Sequence, residues 1–270
     1  MKLEEKLLEE IKKNKFKQMM LDDSEFKIWE TLENGCSIAT MGYSESNVFI
    51  LLNLLKSFEE QYGEEIDFKA AKEELELYQD SGKLFIYLDE KGIPVSMNGC
   101  IYNYDNDTVE FTKNGAKATS LYFYGLSTVP EYRGKGACST LVEYSMDFAK
   151  YNGFDIVYAR TDLKGSNSEG IMKKHGMEVC LDDDMIIAEW VKVTDDKGDL
   201  RLHMWMPLTE GVELSPKGEF IYATNDDDRT IHQNIIENDS KIYVLKPEIS
   251  KEQDCADGPG RKADGSAQCG

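Results

Sequence analysis

From residue 126 to residue 138 the chain reads Leu-Ser-Thr-Val-Pro-Glu-Tyr-Arg-Gly-Lys-Gly-Ala-Cys, and this stretch constrains the fold more than any other. Before it, residues 119–128 have the β-branched and aromatic make-up of a strand. After it, Ala137, Leu141, Tyr144, Phe148 and Tyr151 recur on one helical face until Gly153. A strand that passes into a helix through a tight glycine turn places the chain among α/β folds, with helices packed on a sheet.

The same turn carries chemistry. Gly134 and Gly136 let backbone N–H groups approach an anion with no Cβ in the way. The helix that follows aims its unpaired N–H groups and the positive end of its dipole at the same point, which makes a seat for a pyrophosphate. One helix terminus stabilises an anion by about 0.3 to 1 kcal/mol when exposed and up to about 2 when partly buried, so several contacts have to act together. The stretch lacks the Gly-Lys-Ser/Thr ending of an NTPase phosphate loop and is not the G-x-G-x-x-G dinucleotide fingerprint. Taken alone, Arg-Gly-Lys-Gly also reads as an ordinary turn with a helix cap.

Around this turn the chain predicts a regular alternation. Residues 1–20 put Leu3, Leu7, Leu8 and Ile11 on one face of an amphipathic helix that needs a surface to dock on. After a turn at Glu33-Asn34-Gly35, a strand over 36–41 is followed by a helix capped by Ser44 or Ser46, with Val48, Leu51, Leu52, Leu55 and Phe58 as its apolar stripe. A helix over 68–79 and strands over 83–88, 94–104 and 119–128 come next, the three strands forming an antiparallel meander. A strand over 154–160, a short helix over 168–175 and a strand over 185–193 complete the series. Beyond 194 the chain is turn-rich and acidic, with weaker strand signals at 200–206, 219–224 and 242–245. Residues 250–270 have almost no apolar content and read as a disordered tail.

Charge and cysteine usage narrow the function classes. The 51 acidic and 31 basic residues give a formal charge of −20, which repels nucleic acid and anionic membranes and suits a cationic acceptor. The acidic runs at Asp105–Asp107, Asp182–Asp184 and Asp226–Asp228 either face such an acceptor or are solvated loops. The charged N-terminus has no signal-peptide core and no run of apolar residues is long enough to span a bilayer, so a cytoplasmic setting is expected. The six cysteines contain no C-x-x-C pair and read as reduced thiols, with neither zinc nor a disulfide framework indicated.

In this order of elements, Arg133-Gly134-Lys135-Gly136-Ala137-Cys138, led in by Val129-Pro130-Glu131-Tyr132, resembles the Gln/Arg-x-x-Gly-x-Gly/Ala signature of the GNAT superfamily of N-acetyltransferases. Cys138 departs from it, standing where Gly or Ala is usual. Ser168-Glu169-Gly170-Ile171-Met172-Lys173-Lys174-His175-Gly176-Met177 resembles the family's Ser-x-x-Leu-Tyr-x-Lys-x-Gly-Phe helix end. The resemblance covers residues 35–194. It implies a GNAT fold with a mixed central sheet flanked by helices, an N-terminal helical extension over 1–34, a C-terminal extension over 195–250 and a tail over 251–270.

The resemblance also implies a site. Acetyl-CoA is expected in a wedge between the strand ending at Thr128 and the strand over 154–160. Its pantetheine pairs with the backbone of Leu126, Ser127 and Thr128, its diphosphate rests on Arg133, Gly134, Lys135, Gly136, Ala137 and Cys138, and Ser168 contributes from the second motif. An amine attacks the thioester directly, so no cysteine is needed as a nucleophile and no metal is implied.

Proton transfer is the open question. An alkylamine with a pKa near 10.4 is neutral in roughly one molecule in a few thousand at pH 7, so deprotonation costs about 4 to 5 kcal/mol unless assisted. Tyr122 falls where relatives often carry a glutamate base, and Tyr124 follows two residues along the same strand. Both tyrosines either order a water for proton transfer or simply pack on the sheet. Met172 occupies the position of the usual tyrosine acid and cannot donate a proton; water, a shifted tyrosine or His175 could replace it. The expected activity is N-acetyl transfer from acetyl-CoA to a primary amine of a small molecule or peptide. The alternative is a catalytically weak GNAT domain that binds acyl-CoA as a sensor or scaffold.

Overall fold

Local signals set the element ends. In the computed structural model, which describes residues 2–62, 66–162, 168–182, 185–192, 198–217, 221–223 and 242–245, helix α1 (Lys2–Leu21) leads into strands β1 (Phe26–Thr31) and β2 (Ser37–Met41). The turn between the strands is held by Asn34, whose side chain accepts the Cys36 N–H at 3.0 Å, and by Gly35 at φ 82°. Ser44 accepts the Asn47 N–H at 3.3 Å to start α2 (Glu45–Tyr62), and Asp67 accepts the Ala70 N–H at 2.8 Å to start α3 (Phe68–Ser81).

Strands β3 (Gly82–Leu88) and β4 (Pro94–Tyr102) follow. Next come a short hairpin of β5 (Val109–Lys113) and β6 (Ala116–Lys117), absent from the sequence reading, and β7 (Ser120–Thr128). A single 3-10 turn at Pro130–Tyr132 precedes α4 (Ala137–Asn152), which stops at Gly153 in a left-handed conformation with φ 78°. The remaining elements are β8 (Ile156–Asp162), α5 (Ser168–Lys174), β9 (Glu178–Val179), β10 (Leu181–Asp182), β11 (Met185–Lys192), β12 (Gly198–Pro207), β13 (Val212–Pro216), β14 (Ile221–Ala223) and β15 (Ile242–Leu245).

One large mixed sheet runs β1-β2-β3-β4-β7-β8-β12-β11-β15-β14, and β13-β5-β6 form a second, small sheet. The expected meander is present: β3 pairs β4 and β4 pairs β7, both antiparallel. The β7–β8 pair at the centre is parallel, as the intervening helix α4 requires. Strand β12, beyond residue 194, lies between β8 and β11 and pairs antiparallel with both. The strand signal at 219–224 corresponds to β14, and that at 242–245 to β15; residues 251–270 lie outside the described residues.

A sheet with helices on both faces buries two cores. On one face α2 and α3 cover Ile86, Met97, Tyr122 and Tyr158; on the other α1 and α4 cover Phe85, Leu121, Phe123 and Val157. Helix α1 docks differently from the expectation. Leu7, Leu8 and Ile11 are 58%, 58% and 56% exposed, while Phe16 and Met19 are fully buried. The docking end is the aromatic one: Phe16 packs edge-on to Tyr144 of α4 and stacks on Tyr151, with ring centroids 5.0 and 5.4 Å away.

Candidate active site

Strands β7 and β8 pair only from Ser120 with Ile156 to Phe123 with Ala159. Beyond that point they part, because β7 bulges: Gly99 of β4 faces Gly125 and Cys100 faces Phe123, leaving Tyr124 as the extra residue. On its other edge β7 stays paired to β4 as far as Thr128. The Ser96 hydroxyl donates to the Ser127 carbonyl at 2.7 Å, and the Ser127 hydroxyl donates to the Leu54 carbonyl of α2 at 2.8 Å. Leu126, Ser127 and Thr128 are therefore held from behind, and among the described residues the β7–β8 pairing stops short of them.

The glycine turn stands at the end of this open edge. Tyr132 anchors it by donating its hydroxyl to Asp89 at 2.6 Å, and Asp89 also accepts the Lys91 and Ile93 N–H groups. The Tyr132 hydrogen bond, with those N–H donors, holds the Asp89 carboxyl below its ordinary range. Gly134 and Gly136 have φ of 75° and 90°, and a Cβ built on either meets nothing within 4 Å. Glycine is required there by backbone conformation, and the space beside it is open. Gly136 caps α4 without a side-chain hydrogen bond, and the first turn of α4 holds no acidic residue. The N–H groups a helix cannot pair internally, together with its positive dipole end, face out of the turn with Arg133, Gly134, Lys135 and Gly136 exposed.

Two further side chains brace this end. The Cys138 thiol, at the start of α4, is pushed up to about 12 by burial, so it is a neutral thiol at physiological pH. Helix α5 is tied at its start to β8, with Thr161 and Ser168 hydroxyl oxygens 2.7 Å apart. At its other end the His175 ring lies 2.7 Å from the Ser139 hydroxyl on the first turn of α4. Burial lowers the His175 pKa. Met172 is buried in the α4 core, so that position supplies packing and no proton.

On the α2/α3 face of the splayed strands lies a cluster of side chains from several elements. The Arg160 Nε of β8 donates to the Tyr122 hydroxyl at 2.8 Å, and its Nη1 donates to Glu189 Oε2 of β11 at 2.9 Å. His203 of β12 lies 3.4 Å from the same carboxylate oxygen, and its Nδ1 is 2.6 Å from the Tyr158 hydroxyl. Burial works against the Glu189 charge, but His203 and Arg160 outweigh it and hold the carboxyl at about 2. Burial lowers the pKa of His203, so we assign it as neutral with Tyr158 donating to Nδ1. Tyr104 stacks on Tyr122 at 4.4 Å, and Tyr124 meets Tyr122 edge-on at 6.1 Å.

The sequence-predicted residues thus fall into two groups. Leu126, Ser127, Thr128 and Arg133–Cys138 form one continuous open edge and turn, with Ser168 set against Thr161. Tyr122 is buried, its hydroxyl accepts from Arg160, and burial pushes its pKa up to about 12. Tyr124 is 44% exposed. Arg160, Glu189 and His203 were not singled out from sequence; the one available signal was a histidine and an arginine on predicted strands, which says nothing about which strands are neighbours. Of the acidic runs, Asp105 is paired with Lys117 and Lys217 at 3.1 and 3.0 Å, while residues 183–184 and 226–228 lie outside the described residues. Among the described residues no cluster of three or more His, Cys, Asp or Glu is arranged to hold a metal ion, and no helix is long and apolar enough to cross a membrane.

Comparison with known proteins identifies this arrangement. No curated protein gives a significant match to the chain. A solved structure of a proposed phosphinothricin N-acetyltransferase superposes with a TM-score of 0.50 at 16% identity, over 64% of this chain and 100% of that one. The Salmonella typhimurium protein yncA, solved with its cofactor acetyl-CoA, gives 0.48 at 13% identity over 66% and 96%. The ribosomal-protein-S18-alanine N-acetyltransferase of Escherichia coli gives 0.44 at 12% over 64% and 94%. Residues 50–177 match the sequence profile of the acetyltransferase (GNAT) family. Residues 50–177, which include the β7–β8 strands and the glycine turn at the head of α4, are a GNAT acetyltransferase family domain.

Proposed function

We propose that the chain transfers an acetyl group from acetyl-CoA to a primary amine of a small molecule or peptide, by direct attack of the amine on the thioester. The observation that carries this reading is the coincidence of two features: the parting of β7 from β8 after Phe123 and the α4 terminus at Gly136, which has no side-chain cap. In this reading Leu126, Ser127 and Thr128 pair with the pantetheine, the turn from Arg133 to Cys138 seats the diphosphate, and Ser168 braces the β8 side. The open space beside Gly134 and Gly136 fits an anion brought close to the backbone. The neutral thiol of Cys138 supports direct transfer over a cysteine-bound intermediate. A cytoplasmic setting is part of the proposal, and the free thiols of Cys36, Cys100, Cys138 and Cys180 support it.

The test is calorimetry with coenzyme A and acetyl-CoA, followed by a panel of amines scored for thiol release. Binding together with release above the uncatalysed rate is expected; no heat with either thioester carrier sinks the reading. One observation favours the second reading, an acyl-CoA sensor or scaffold. Met172 is buried in the core and carries no proton, and the Tyr122 oxygen accepts from the Arg160 guanidinium, so neither residue the motif comparison points to is a ready base or acid. Tight binding with no thiol release from any amine would select it.

A further inference from the structure

Two glycines that are not in the phosphate turn shape the opposite side of β7. Gly99 of β4 and Gly125 of β7 face each other directly across the pair. A Cβ on Gly99 would collide with the ring and hydroxyl of Tyr78. One on Gly125 would lie 2.7 Å from the Tyr78 hydroxyl and 3.3 Å from Glu74 Oε1. Neither glycine has a positive φ, so close approach, not conformation, demands them. Through this gap α3 brings Tyr78 against the bare backbone, and the Tyr78 hydroxyl donates to Glu74 Oε1 at 2.6 Å.

The position matters. Gly125 separates the bulged Tyr124 from the unpaired edge at Leu126. Glu74 therefore touches β7 at the residue where the wedge opens, on the face lined by Tyr124, Tyr122 and Arg160. Tyr124 packs edge-on to Tyr78 at 6.1 Å and is exposed, so the half-buried Glu74 borders the groove surface. Its helix neighbours Glu73 and Glu76 are paired with Lys69 and Lys72, whereas among the described residues no cation pairs with Glu74.

We propose that Glu74 is the proton acceptor for the incoming amine, delivered to the mouth of the wedge through the Gly99–Gly125 gap; this rests on the transferase reading above. The ammonium gives one proton to the Glu74 carboxylate, and its freed lone pair forms the N–C bond at the thioester carbonyl. The C–S bond breaks, and the second N–H proton goes to the departing thiolate, directly or through water. Glu74 returns its proton to solvent. Burial lifts the Glu74 carboxyl above its ordinary range, against the lowering effect of the Tyr78 hydrogen bond, which brings it nearer the pKa a general base needs at neutral pH. The titratable groups facing it are Tyr78 on its own helix and Tyr124 on β7, with Tyr104 and Arg160 beyond Tyr124.

The experiment uses the full chain, acetyl-CoA and whichever amine of the panel gives the fastest thiol release. Glu74→Gln is expected to lower kcat/KM by about a hundredfold or more and to erase the acidic limb of its pH profile, with the Kd for coenzyme A unchanged. Tyr78→Phe keeps the ring in its seat and removes the hydrogen bond that lowers the Glu74 pKa, so the acidic limb is expected to shift to higher pH. A Glu74→Gln chain with wild-type kcat/KM and an intact acidic limb overturns the proposal, as does a Tyr78→Phe chain whose limb does not move. A wild-type chain that binds no coenzyme A overturns the transferase reading itself and takes this proposal with it.

Discussion

The two sides of β7 are built from different materials. Toward α4 the site is backbone: a strand edge that has parted from β8, two left-handed glycines and a helix terminus without a side-chain cap. Toward α2 and α3 it is side chains, with Glu74 from α3, Tyr122 and Tyr124 from β7, Arg160 from β8, Glu189 from β11 and His203 from β12. Backbone donors hold any diphosphate of the right shape and tolerate change in the side chains around them. A cluster of buried charges depends on every partner, because removing one leaves another buried and uncompensated. The first kind of site suits a cosubstrate common to many reactions, and the second suits one particular acceptor.

Substitutions can break this contrast. The largest effect is expected from Gly136→Val, because a β-branched residue at φ 90° costs about 1–2 kcal/mol and its side chain enters the space open to the anion. Calorimetry should find acetyl-CoA affinity down at least about tenfold because the side chain fills the diphosphate's space, while the strain shows only as a small loss of stability in denaturant unfolding of an intact fold. Retained affinity would mean the diphosphate sits elsewhere.

Arg160→Ala should do the reverse. It leaves Glu189, whose side chain is 11% exposed, without its guanidinium, and should lower folding stability by about 3 kcal/mol while sparing coenzyme A binding. Equal losses of stability and cofactor affinity would erase the distinction between the two sides.

Acid sharpens the same point. The Glu189 carboxyl is held at about 2 in the folded chain, below the 4.5 of an ordinary glutamate, so its stabilisation is present above pH 4.5 and is lost as pH falls through 2. Acid unfolding across that window should be less steep in Glu189→Gln; identical curves would show that the ion pair does not govern it. The smallest effect is expected from Tyr122→Phe, which removes one hydrogen bond to Arg160, about 1 kcal/mol of stability. Turnover should fall more than coenzyme A affinity if the hydroxyl orders water, and unchanged turnover would leave Tyr122 a packing residue.

Most of the α/β frame was legible in the chain. The 3.6 period from Ala137 and the stop at Gly153 predicted α4 to the residue, and Ser44, one of the two caps expected for α2, stands at its start because its side-chain oxygen is the nearest acceptor for a first-turn N–H group. What misled was the apolar stripe of α1: Leu7, Leu8 and Ile11 have the right spacing, yet Phe16 and Met19 dock, because aromatic partners on α4 wait only for that end. The β5–β6 hairpin leaves little mark on the sequence because its strands are short and its loop is polar. Strand β12 read as a weak signal beyond the domain, and only pairing showed it wedged between β8 and β11.

The glycine turn could be found in the sequence because its geometry is local: consecutive residues supply glycine conformations and helix-end donors, and spacing along the chain is spacing in space. The acceptor side could not, because Gly99 and Gly125 look like any strand glycines until β4 and β7 are paired and Tyr78 is laid across them. Which carboxylate reaches the wedge is a matter of register, a bulge and one missing Cβ on each strand. Those are properties of contacts between segments far apart in the chain, and the tertiary structure alone decides them.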